Sequence, residues 1–221
     1  MNEIYKRIFT ALILFTLFIF CLFFNQFTWQ LLISFFLIIS FYEFINLINK
    51  IYKKKISQIL ILAIIGCLLF LNLLILSNTR LELGEELILT LFISSIASDI
   101  GGYITGRLIG GPKLTKISPQ KTIAGAIGSI FFTIIITSLF IKIYDNKLYT
   151  LIDLEFTNAI KKYLWLIFMS IFCQLGDLLI SYLKRKADVK DTGGILPGHG
   201  GVLDRIDGII IAIPIGIFLF F

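Results

Sequence analysis

Residues 56–76 read ISQILILAIIGCLLFLNLLIL, 21 positions without one charged side chain. As a helix rising about 1.5 Å per residue, such a run reaches roughly 31 Å, the thickness of a bilayer's hydrocarbon core. Backbone polar groups in hydrocarbon must be satisfied within the segment, which a helix achieves. Six further apolar segments accompany it: Ile8 to Phe24, Trp29 to Ile48, Leu87 to Leu108, Ile123 to Ile141, Tyr163 to Leu183 and Ile206 to Phe221. The pattern predicts an all-α protein, a polytopic membrane helix bundle of about seven transmembrane helices.

Composition points the same way. Of 221 residues, 57% are hydrophobic and 15% charged, whereas soluble domains carry about 25% charged residues. A disordered chain, a secreted disulfide scaffold and an ordinary water-soluble enzyme are thereby excluded. Cys21, Cys67 and Cys173 sit in apolar runs without a CxxC pair and read as small buried hydrophobes. Lys6 and Arg7 ahead of an apolar stretch resemble a signal peptide, but no small-residue cleavage site follows, so the segment is expected to stay as the first span. One membrane domain over 1–221 is expected, with N-terminal spans at about 8–76 and a catalytic half at about 87–221.

Lys and Arg set the orientation. The N-terminus and the second-to-third, fourth-to-fifth and sixth-to-seventh connections hold 15 of the 20 basic residues. These faces are expected in the cytoplasm, with the C-terminus outside if there are seven spans. The net charge of +6 follows this pattern without interleaved aromatics, which argues against nucleic-acid binding.

Glu43, Asp99 and Asp177 interrupt the apolar segments, each toward the expected cytoplasmic end. A charge at the bilayer centre costs at least about 2.5–3.5 kcal/mol, so such residues face the protein interior or water. Glu43 reads as a structural carboxylate paired with a neighbouring Lys or Arg. Asp99 opens SDIGGYITGRLIGG (98–111), and Asp177 precedes the densest charged segment, so a metal or substrate role is expected for both. Gly101, Gly102, Gly106, Gly110, Gly111, Gly193, Gly194, Gly198, Gly200 and Gly201 stand beside cations and suggest backbone that approaches phosphate.

That charged segment is SYLKRKADVKDTGGILPGHGGVLDRID, residues 181–207. Asp204 and Asp207 are three apart and would share a face if the last helix begins near them. Two carboxylates on one face suit a hard divalent cation such as Mg2+, with Asp177 as a third oxygen donor. Lys184, Arg185, Lys190 and Arg205 would then neutralise phosphates.

The segment resembles the signature of the phosphatidate cytidylyltransferases, the CDP-diacylglycerol synthases. The resemblance runs through Ser181, Lys184-Arg185, Lys190-Asp191, Gly193, His199-Gly200-Gly201 and Asp204-Arg205-Ile206-Asp207. Upstream, Asp99, Gly101, Tyr103, Gly106-Arg107, Gly110, Ser118-Pro119, Lys121-Thr122 and Gly125 to Gly128 are similar to two further family stretches. Ile100 stands where the family has Thr, and Ile123-Ala124 where it has Trp-Glu. The N-terminal half matches only as hydrophobic helices.

This resemblance implies an enzyme of phospholipid biosynthesis, a nucleotidyltransferase of a bacterial-type cytoplasmic membrane that joins CTP to phosphatidic acid of the cytoplasmic leaflet. CDP-diacylglycerol and pyrophosphate are the products. It also implies a homodimer. Asp177, Asp204 and Asp207 are expected to hold Mg2+, alone or with a second cation such as K+. Lys121, Lys184 and Arg185, with Asp204 and Asp207, are the expected catalytic set. Asp99, Ser118, Ser181, Lys190, Asp191, His199 and Arg205 are expected at the substrates. His199, between two glycines, reads as a turn former or phosphate donor rather than a base, since phosphate nucleophiles are already ionised at pH 7. Two rivals stay open: a cytidylyltransferase for another lipid phosphate, and a small transporter using Asp99 and Asp177 as a relay.

Overall fold

A computed structural model of the chain describes residues 3–144, 159–198 and 200–220. His199 lies outside the described residues. The helices are α1 (Glu3–Phe24), α2 (Gln26–Ile51), α3 (Lys55–Glu82), α4 (Glu85–Ile109), α5 (Ile123–Tyr144), α6 (Ala159–Lys186), α7 (Leu203–Ile206) and α8 (Ile209–Phe220). No β-strand occurs among the described residues; only two isolated bridges do, Lys113 with Thr122 and Leu196 with Gly200. The chain is an all-α integral membrane protein, with six described helices long and apolar enough to cross a bilayer.

The seventh apolar segment departs from the expectation of one helix spanning Ile206 to Phe221. It breaks at Asp207-Gly208, leaving the single turn α7 and then α8. The 12 residues of α8 rise about 18 Å, short of the hydrocarbon thickness. Asp204 and Asp207 therefore do not share one continuous helix.

Two compact units make up the chain. Unit 1 holds residues 1–85 and 183–206; unit 2 holds 86–182 and 207–221. The division does not follow the two sequence halves, because most of the 181–207 signature belongs with the N-terminal helices.

In unit 1, Asn25 caps α2 by accepting from the Thr28 backbone N–H at 2.7 Å. Trp29, buried, donates its indole N–H to the Leu76 carbonyl at 3.2 Å and ties α2 to α3. Helix α3 runs past the expected Leu76 into the polar stretch up to Glu82 because Arg80 is satisfied there. Its guanidinium donates to the Leu22 carbonyl at 2.8 Å and the Gln26 side chain at 3.0 Å, and pairs with Glu85 at 3.2 Å.

In unit 2, buried hydroxyls join helices where hydrocarbon offers no water. Ser98 and Ser170 meet at 2.9 Å between α4 and α6, and Trp165 donates to the Gly216 carbonyl at 2.7 Å between α6 and α8. Helices α4 and α5 cross at glycines. A Cβ on Gly101 would come within 2.5 Å of the Phe132 Cβ, and one on Gly102 within 2.6 Å of the Ser129 hydroxyl. These glycines are helix-packing residues, not the phosphate-approaching backbone expected of them. Gly110 and Gly111, at φ 67° and 93°, end α4 and turn the chain into the 112–122 loop.

Candidate functional site

The 112–122 loop of unit 2 is a built structure. Leu114 N–H donates to the Lys121 carbonyl at 2.8 Å, Ile123 N–H to the Pro112 carbonyl at 3.0 Å, and Lys121 N–H to the Ser118 carbonyl at 3.0 Å. Ser118 is thus part of the turn that carries Lys121. The Lys121 ammonium pairs directly with the Asp177 carboxylate of α6, whose other oxygen accepts from the Ser181 hydroxyl at 3.3 Å.

Asp207 follows α7 in the chain and accepts from the Gly208 N–H at 2.9 Å. Its carboxylate neighbours those of Asp177 and Asp99. Close packing of α6 against the 207–208 turn brings them together: a Cβ on Gly176 would lie 2.5 Å from the Asp207 carbonyl oxygen. On the other side of the turn, a Cβ on Gly208 would lie 2.5 Å from Cys173 Sγ. Cys173, buried, sits 3.9 Å from Asp99 Oδ1. The structure therefore gathers Asp99, Asp177, Asp207 and Lys121 of the expected site residues, all in unit 2.

Asp204 belongs to unit 1 and has a different environment. Its Oδ1 accepts from Lys184 Nζ at 2.7 Å. Its Oδ2 accepts from the backbone N–H groups of Thr192 at 2.8 Å and Gly201 at 3.0 Å, and lies 3.0 Å from the Thr192 hydroxyl. Burial alone would raise this carboxyl, but the Lys184 ammonium and the two N–H groups outweigh it and hold it below the usual carboxylate value. Arg185, Lys190, Asp191 and Arg205 are exposed around it.

Beneath this loop lies Glu43, 1% exposed. Its expected Lys or Arg partner is not what holds it. Oε1 accepts from the Val202 N–H at 3.0 Å; Oε2 accepts from the Leu203 N–H and the Thr192 hydroxyl, both at 2.8 Å. Side chains are excluded from the contact, since a Cβ on Gly193 or Gly201 would collide with the Glu43 carboxylate. The sequence reading missed this link and passed over Thr192. The signal was present: Glu43 is the single charge in residues 26–49, and an isolated buried carboxylate demands donors. Spacing could not show that those donors are backbone amides about 160 residues away in the chain.

The metal expectation meets a defined geometry. Among the described residues, no group of three or more His, Cys, Asp or Glu is arranged to hold a metal ion. Asp177 and Asp207 nevertheless form a pair of neighbouring hard oxygen donors, with the Lys121 ammonium on Asp177. Mg2+ is usually held by one or two carboxylates together with substrate phosphates, so this pair fits it. Both oxygens of Asp204 are engaged by Lys184 and backbone N–H groups, and both of Asp177 by Lys121 and Ser181, whereas Asp207 accepts from the Gly208 N–H.

Neighbouring carboxylates and paired lysines, set at and between helices long enough to cross a bilayer, are the features this membrane protein brings together. Residues 48–221 match the model of the cytidylyltransferase family, and the chain belongs to that family. The phosphatidate cytidylyltransferase of Rickettsia bellii (strain RML369-C) is 40% identical over 140 residues, 62% of this chain and 58% of the relative. That of Staphylococcus haemolyticus (strain JCSC1435) is 42% identical over 133 residues, 60% of this chain and 48% of the relative. That of Bacillus subtilis (strain 168) is 40% identical over 126 residues, 57% of this chain and 42% of the relative. The chain spans about half the length of the curated relatives it matches.

Proposed function

We propose that this chain transfers a CMP group from CTP to phosphatidic acid, giving CDP-diacylglycerol and pyrophosphate. The observation that carries the reading is the family match over residues 48–221, which includes every residue of the two carboxylate–lysine arrangements except Glu43. Relatives bearing the name phosphatidate cytidylyltransferase support the choice of substrates.

In the proposed reaction an oxygen of the lipid phosphate attacks the α-phosphorus of CTP, the new P–O bond forms, and the bond to pyrophosphate breaks. The nucleophile is the lipid's own anion, so no protein nucleophile is needed. What the protein must supply is positioning and neutralisation of converging negative charge. Lys121, held by Asp177 in unit 2, and Lys184, held by Asp204 in unit 1, are cations fixed before substrate arrives. Exposed Arg185, Lys190 and Arg205 supply further positive charge for phosphates. Asp177 and Asp207 are assigned to Mg2+, which when bound would neutralise phosphate oxygens. Asp204, which accepts from two backbone N–H groups of its own loop as well as from Lys184, is assigned to hold Lys184 and the loop instead. We infer a bacterial-type cytoplasmic membrane from the bacterial relatives, a cytoplasmic face for the stretches 107–121 and 184–205 from the nine basic residues they hold, and a homodimer from the family resemblance.

The test is transfer of labelled CMP from CTP to phosphatidic acid by the purified chain in detergent with Mg2+. Lipid-bound label that disappears on chelation and in Asp207→Ala is the expected result. Label on a different lipid phosphate alone would move the substrate; no label on any lipid would overturn the reading.

A further inference from the structure

We propose that Glu43, from α2, is a positioning residue for this reaction: it clamps the signature loop so that Asp204 presents Lys184 in one fixed place. The inference rests on the cytidylyltransferase reading for its kinetic consequence and on unit 1 alone for its geometry. Glu43 precedes the residues matched to the family and belongs to the half that resembled it only as hydrophobic helix.

Burying a carboxylate this deeply is costly unless donors satisfy it. Were Glu43 there to join the helix bundle, its donors would lie on α1 or α3. All three instead come from the 192–203 loop and the start of α7. The Val202 and Leu203 amides immediately precede Asp204, so fixing them fixes where that carboxylate emerges. Thr192 closes the arrangement from the other side. Its backbone N–H donates to Asp204, while its hydroxyl lies 2.8 Å from Glu43 and 3.0 Å from Asp204. A hydroxyl has one proton, so it donates to one of these carboxylates at a time, and with the amide it spans both. The chain of contacts then ends on Lys184 Nζ, 2.7 Å from Asp204 Oδ1.

Glu43→Gln tests the clamp because an amide has only one acceptor oxygen. Whichever way it is turned, an NH2 group faces the N–H of Val202 or Leu203. A buried donor left unmatched corresponds to roughly a 5- to 150-fold effect. The full chain should then lose kcat by a factor in that range with the KM for lipid unchanged, and Glu43→Asp should recover part of the loss. In a Lys184→Ala background the same Glu43→Gln change should cost less than about twofold, since its route to the reaction is gone. Equal losses in the two backgrounds would overturn the proposal and leave Glu43 a general stabiliser.

Amide hydrogen exchange of residues 192–203 needs no turnover and separates a failed clamp from a failed assignment of the reaction. Exchange there should quicken by the same roughly 5- to 150-fold in Glu43→Gln, with α3 unchanged. Unchanged exchange in the loop, or equal acceleration throughout the helices, would sink the clamp. Thr192→Val, which removes the hydroxyl and keeps the amide, provides the milder variant should Glu43→Gln not fold, and should move loop exchange in the same direction.

Discussion

Asp204 in unit 1 and Asp207 in unit 2 are three residues apart, yet their surroundings differ in kind. Asp204 is met by an ammonium, two backbone N–H groups and a hydroxyl. Asp207 is met by one N–H and by other carboxylates. A carboxylate whose oxygens are filled by backbone donors holds structure in place, whereas the carboxylate that faces other carboxylates is the one we assign to a cation. Two residues that the sequence pattern placed together thus have different partners in the structure.

Four tests probe that contrast, beginning with the largest effect. Asp207→Asn or Asp177→Asn should lower CMP transfer by about 10³-fold or more while the protein remains folded, and should abolish the rise in melting temperature expected of the parent chain on adding Mg2+. A variant still stabilised by Mg2+ would remove the cation from this pair. Lys184→Met should cost roughly 10²-fold in kcat with the Mg2+ stabilisation intact, since it removes a fixed cation and not a metal ligand. Loss of that stabilisation in Lys184→Met would blur the distinction between the two regions.

Next comes the steric side of unit 1. Gly193→Ala should destabilise by about 1–3 kcal/mol in thermal unfolding, because the new methyl meets a Glu43 carboxylate already fixed by its donors. Gly194→Ala, with nothing within 4 Å of the added Cβ, is the control and should change stability little. Equal behaviour of the two would show that the loop does not sit tightly on Glu43.

The smallest effect is one of pH. The Asp204 carboxyl lies below its ordinary value of about 4 in the folded chain, so it binds a proton less readily than in the unfolded chain. Its stabilisation is therefore complete above about pH 4–5 and is lost as pH falls through the folded value. The difference in melting temperature between the parent chain and Asp204→Asn should hold level from pH 8 to about pH 5 and shrink below about pH 4. A difference that grows on acidification would reverse the sign and contradict the environment assigned to Asp204.

Much of the fold was legible in the sequence because hydrophobic runs are a local signal. Residues 56–76 announce α3 without any partner, and the other long helices follow for the same reason. The break at Asp207-Gly208 was not legible, since a three-residue carboxylate spacing fits a helix equally well. Gly101 and Gly102 were read as phosphate-binding from the charges beside them, but they serve the crossing of α4 and α5. Of the candidate site, the residue types and their family resemblance were readable. Their sorting was not, because whether an aspartate meets N–H groups or another aspartate depends on chain that returns from elsewhere.

By itself the sequence determined that this is a helical membrane protein of the cytidylyltransferase family, because span length, charge placement and the 181–207 motif are properties of the linear chain. Only the tertiary structure decided that Asp177 and Asp207 crowd together with Lys121, and that Glu43 reaches Asp204 through Thr192. The physical reason is that satisfaction of a buried charge is set by donors brought near in space, and for Glu43 two of those donors are backbone amides that no residue letter records.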